Sequence, residues 1–136
     1  MLADSLGEHL VRDGKLRCLT TDHTVAQRMI DAGIYRHDSD EIRHLQHMLT
    51  NCLDTDERYV HVETKQVELR DDDRLLLCTD GLTDSVSESA IADLVLGAPT
   101  PQEACNRLLT RALKNRASDN VTAVVGHYSI PKGDTT

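Results

Sequence analysis

The sequence contains no tryptophan, no phenylalanine and only three tyrosines in 136 residues. A core built on large aromatic rings is excluded, and Leu, Val and Ile must fill it. No apolar run approaches the roughly 20 residues that a membrane-spanning helix needs, and the start lacks the basic-then-apolar pattern of a secretion signal. The expectation is a cytoplasmic protein with no membrane partner. Basic residues are in the minority, 15 Lys and Arg against 23 Asp and Glu, for a formal net charge of −8. Phosphate backbones are bound through basic surface, so nucleic acid is not an expected partner. Cys18, Cys52, Cys78 and Cys105 show no Cys-x-x-Cys spacing, which argues against zinc. Each stands among apolar neighbours, as a buried free thiol does. The length suits one domain and not two ordinary ones.

The stretch Arg74-Leu75-Leu76-Leu77-Cys78-Thr79-Asp80-Gly81-Leu82-Thr83-Asp84 organises the rest. Its apolar run is too short for a helix and stops at a carboxylate and a glycine, so it reads as a buried strand that delivers Asp80 to its end. A carboxylate is a hard oxygen donor, and a glycine beside it lets other groups approach closely. A second acidic turn, Ser118-Asp119-Asn120-Val121-Thr122, leads into the apolar run Val121–Val125. Two aspartates at strand ends point to one shared cation site.

Elsewhere the pattern is scaffold. Strands over His9–Arg12 and Lys15–Leu19 flank Asp13-Gly14, a two-residue hairpin turn. Thr21–Thr24 offers helix-capping side chains ahead of the apolar face Val25, Met29 and Ile30, with Gly33 as the stop. The Asp22-His23 pair reads as a cap and a packed imidazole. Asp40, His44 and His47 have one-face helical spacing, and a polar solvated helix accounts for them. Met48–Leu53 and Tyr59–Leu69 read as strands, and Arg70–Asp73 as a solvated acidic turn. Ser85 with Glu88 has capping-box spacing, Ser87 being the alternative cap, ahead of the stripe Ile91, Leu94, Val95 and a stop at Gly97. Thr100-Pro101-Gln102-Glu103 opens a second helix with Ala104, Leu108 and Ala112 facing inward. This is an α+β layered domain with antiparallel sheet.

Leu-Leu-Leu-Cys-Thr-Asp-Gly-Leu-Thr-Asp followed by Ser-Asp-Asn-Val-Thr, with Arg12–Leu16, Leu19–Thr24 and Met48–Thr50 in order before them, resembles the carboxy-terminal half of the PPM-type (type 2C) metal-dependent protein serine/threonine phosphatases, most like the bacterial ones. The resemblance runs from about Asp4 to Tyr128. It implies part of a four-layer α-β-β-α sandwich with antiparallel sheets, the amino-terminal half missing: residues 1–130 a partial phosphatase domain, 35–50 a flap that influences substrate choice, and 131–136 a disordered tail. It implies a binuclear Mg²⁺ or Mn²⁺ centre, incomplete here, with Asp80 and Asp119 as ligands and Asp4 at a weaker position. Gly81 then shapes the turn and Asn120 fixes the geometry around Asp119. The substrate is a phosphoserine or phosphothreonine protein. No catalytic side chain falls in this chain, because the family's metal-bridging Asp-Gly, phosphate-binding Arg and general-acid His belong to the other half.

Two small cations activate a water and neutralise phosphoryl charge, and they favour isolated carboxylates over Cys or His clusters. Two carboxylates alone cannot hold both ions, so the chain by itself is expected to be inactive. The alternative is a catalytically dead phosphatase-like module used for binding. Half a sandwich leaves an apolar face for a partner or for self-association to cover.

Overall fold

The computed structural model describes residues 6–20, 25–36, 38–43 and 64–133. The chain divides into two compact units, Met1–Ser5 with Thr21–Lys65, and Leu6–Thr20 with Gln66–Thr136.

In the second unit the hairpin forms as the sequence requires. Strand β1, Leu6–Arg12, returns as β2, Lys15–Cys18, with Arg12 opposite Lys15. Asp13 and Gly14 take the positive φ values 51° and 75° that such a turn needs. The apolar run becomes β3, Arg74–Thr79, and the last strand is β4, Ala123–His127. All pairings are antiparallel in the order β2-β1-β3-β4, so β3 lies inside the sheet and Asp80 leaves from a strand held on both sides.

Side chains alternate across the sheet. Val11, Leu76 and Cys78 share one face and pack into a cluster with Leu82, Val86, Ile91, Val95 and Leu108. These come from helices α3 (Asp80–Ser85), α4 (Glu88–Leu96) and α5 (Pro101–Lys114) or the chain beside them. Helix α4 lies over β2 and β1, and α5 over β4. Leu10 and Leu75 pair on the opposite face, where Leu10 is buried but Leu6 and Val124 are exposed. The core is aliphatic throughout, as an aromatic-poor chain demands.

Helix α5 begins as its sequence asks, Thr100 accepting from the Glu103 N–H at 3.2 Å with Pro101 in the first turn, and Ala104, Leu108 and Ala112 are fully buried. At α4 the cap is Ser87, which accepts from Ala90 N–H. Ser85 instead ends α3 and donates its hydroxyl to the Gly81 carbonyl at 2.7 Å.

Three expectations are corrected. The Arg70–Asp73 turn is not simply solvated: Asp73 is buried, and its carboxylate takes Arg12 Nε at 2.8 Å and Nη2 at 2.6 Å, plus the Arg70 N–H at 2.7 Å. Residues 64–69 are not strand. Polar backbone there is met by side chains, Glu68 O accepting from Arg12 Nη2 at 3.0 Å. Cys18 is exposed, since it ends an edge strand; Cys78 is buried and Cys105 half-buried. A network the sequence did not suggest starts at Arg74. Its buried side chain donates to the carbonyls of Val95 and Ala98 at the end of α4, and to Asp72, which also meets His127 Nε2 at 2.7 Å.

In the first unit, α1 spans Val25–Asp31 and α2 spans Asp40–Arg43. Gly33, at φ 70°, closes α1, its N–H going to Ile30 O. Ala26 and Ile42 are buried. Asp4, Cys52, the residues 21–24, His37, His44, His47, the strand expected at Met48–Leu53 and the tail residues 134–136 lie outside the described residues.

Candidate metal centre

The two aspartate turns are built against each other by backbone. Strand β3 pairs with β4 up to Cys78 opposite Ala123, and the Thr79 N–H continues to the Thr122 carbonyl at 3.1 Å. Thr79 precedes α3 in the N-cap position, yet its hydroxyl does not cap the helix. It reaches across instead, accepting from Thr122 N–H at 3.0 Å and donating to Asn120 O at 3.3 Å. One side chain thus ties the residue before Asp80 to both residues that follow Asp119 and Val121. Sequence reasoning missed Thr79. Its position beside Asp80 was visible, but the partner that reveals its role is 43 residues away.

Gly81 completes the joint. A Cβ built on it would stand 2.2 Å from the Asn120 carbonyl oxygen, far inside any contact radius. Its glycine is therefore required by close approach of two backbones and not by an unusual φ. Asn120 acts here through its main chain. Its N–H donates to Asp119 Oδ1 at 2.7 Å, which orients that carboxylate. Asp80 is half-buried and Asp119 exposed. Burial pushes the Cys78 thiol up to about 11, with Cys18 and the Asp80 carboxylate adding to the shift. That makes Cys78 a poor nucleophile and removes it from the chemistry.

These donors fit a hard cation. The site offers carboxylate oxygens at a wall of fixed backbone, which suits Mg²⁺ or Mn²⁺. No group of three or more His, Cys, Asp or Glu able to hold a metal gathers among the described residues.

The family model for stage II sporulation protein E (SpoIIE) matches residues 16–129, more than four-fifths of the sequence. The chain belongs to the SpoIIE/PPM-type phosphatase family. Among curated relatives, the serine/threonine protein phosphatase PstP of Mycobacterium tuberculosis is 36% identical over 124 residues, covering 91% of this chain and 23% of PstP. Among solved structures, the serine/threonine phosphatase of S. agalactiae superposes with a TM-score of 0.77 at 26% identity, over 90% of this chain and 50% of that one. The PstP catalytic domain in complex with two manganese ions superposes with a TM-score of 0.65 at 35% identity, over 88% of this chain and 48% of that one. This SpoIIE/PPM-type chain thus spans about half of those solved chains, and its antiparallel sheet with helices matches their fold.

The close approach gives a stability prediction for this family member. Gly81→Ala forces the two turns apart and is expected to cost about 1–3 kcal/mol, the usual range for overpacking. Urea denaturation of the two proteins at one pH measures it. A cost under about 0.5 kcal/mol, the scale of neutral surface changes, contradicts the contact.

Proposed function

We propose that this chain contributes part of the active site of a metal-dependent protein serine/threonine phosphatase, with Asp80 and Asp119 as ligands of a Mg²⁺ or Mn²⁺ pair. The observation that carries the reading is the Thr79 and Gly81 joint, which fastens the Asp80 strand end to the Asp119 turn. The relative with two manganese ions supports the choice of cation. When bound, such a pair lowers the pKa of a water and neutralises charge on the phosphoryl oxygens of a phosphomonoester. Asp80 supplies a carboxylate from a rigid strand end. Asp119 supplies a second whose Oδ1 is already aimed by Asn120 N–H. Asp4 is proposed as a weaker, additional ligand, and residues 35–50 as a flap beside the site that influences the choice of phosphoprotein.

The donor count sets the test. Two carboxylates and the weaker Asp4 leave most positions around two octahedral ions to water, so the 136-residue chain alone is expected to release phosphate from a phosphoserine peptide in Mn²⁺ no faster than buffer. Joined to a segment that supplies the remaining ligands, it is expected to turn over, and EDTA to stop it. Rapid release by the chain alone contradicts the ligand count. A completed, folded domain that stays inactive sinks the enzyme reading in favour of a binding module.

A further inference from the structure

The sheet face away from α4 and α5 carries a second polar site. By strand alternation Arg12 of β1 and Arg17 of β2 project from that face, on the same side as the Leu10–Arg17 pair. Residues 66–68 and Arg70 complete a half-open cavity of about 230 Å³ with them, and its lining includes Arg12, Arg17, Arg70, Gln66 and Glu68. The volume is several times the roughly 30 Å³ share of one water.

Charge in this cavity runs against the molecule as a whole. Formal net charge is −8, yet three arginines meet here. Arg12 is matched by Asp73 and held by two bonds to that carboxylate and one to Glu68 O. Its Nη1 has no acceptor among the described residues. Neither guanidinium of Arg17 or Arg70 has an acceptor or an ion pair among the described residues; both side chains are exposed, Glu68 lines the cavity with them, and the Arg70 charge also acts on Asp73, the partner of Arg12. Clustered like charges are costly in the absence of an anion, and guanidinium forks match the geometry of phosphate oxygens.

We propose that this cavity binds a small tetrahedral oxyanion, a phosphate or phosphomonoester group, with Arg17 and Arg70 as the charged contacts, Arg12 Nη1 as a positioned donor and Gln66 as a neutral one. The site requires no metal and is separate from Asp80 and Asp119, so it stands whether or not the phosphatase reading does.

The test uses the full chain in EDTA, at constant ionic strength set with sodium chloride. Inorganic phosphate is titrated while the thermal midpoint and heat of binding are followed, for the natural chain, for Arg17→Gln/Arg70→Gln and for Asp80→Asn. Phosphate is expected to raise the midpoint of the natural chain and of Asp80→Asn alike. The double arginine variant is expected to bind at least about tenfold more weakly, the loss that follows removal of a hydrogen bond to a charged group. A parallel titration with O-phosphoserine identifies the source of the group by which of the two binds more tightly. The proposal is overturned if chloride alone gives the same response, or if the double variant binds phosphate as well as the natural chain.

Discussion

Asp80→Asn, introduced into a completed and active domain, is expected to cut Mn²⁺-dependent phosphate release at least about a hundredfold, since even residues that only orient a metal ligand act on the scale of 10 to 100. The carboxamide keeps the shape and volume of the carboxylate and loses its charge, so folding is preserved while the cation loses its donor. Asp119→Asn is expected to fall in the same direction by less. Asp119 sits in an exposed turn, and an asparagine there still accepts the Asn120 N–H through its own oxygen, whereas Asp80 opens helix α3 directly after a strand paired on both sides. Ligands on rigid elements lose the most when altered, because nothing else can move in to replace them. The measurement is initial rate against Mn²⁺ concentration, with denaturation midpoints as the folding control. If Asp80→Asn keeps both its rate and its half-saturating Mn²⁺, that carboxylate is no ligand.

Local chemistry was legible. Asp13-Gly14 makes the hairpin, Thr100-Pro101-Gln102-Glu103 opens α5, and the Leu75–Cys78 run makes an inner strand, because each signal and its structural consequence lie within a few residues. What the sequence hid was long-range. Arg12 finds Asp73 across 61 residues, Thr79 finds Thr122 across 43, and neither pairing leaves a mark in the local pattern. Helix α3 was hidden for a different reason. Asp80-Gly81 looks like a turn, yet the backbone enters a short helix whose cap position is occupied by a threonine already bonded elsewhere. The alternation Val67, Leu69 suggested a strand, and Gln66, Val67 and Glu68 instead line the arginine cavity without a ladder of their own.

The Arg12–Asp73 pair yields a larger expected stability effect than the Gly81 contact. Asp73→Ala removes the carboxylate that receives Arg12 and the Arg70 N–H, leaving a guanidinium and an amide short of partners at the start of β3. Breaking a buried pair costs about 3–5 kcal/mol. The lower end applies here, because the Arg12 side chain keeps about a fifth of its surface in water. Acid exposes the same interaction. The Arg12 hydrogen bonds hold the Asp73 carboxyl at about 2, below its ordinary 3.8, with the Arg70 N–H helping and burial opposing. Above the ordinary value both folded and unfolded chains are ionised and the pair contributes in full. As pH falls past it the unfolded chain takes up its proton first, so stability drops with pH and the contribution is gone below about 2. Urea unfolding at a series of pH values is therefore expected to show a fall toward pH 2 in the natural chain that is shallower in Asp73→Asn. Parallel slopes in the two proteins contradict the pair as the source of acid sensitivity, whereas a flattened slope with intact native spectra at neutral pH ties it to this one carboxylate.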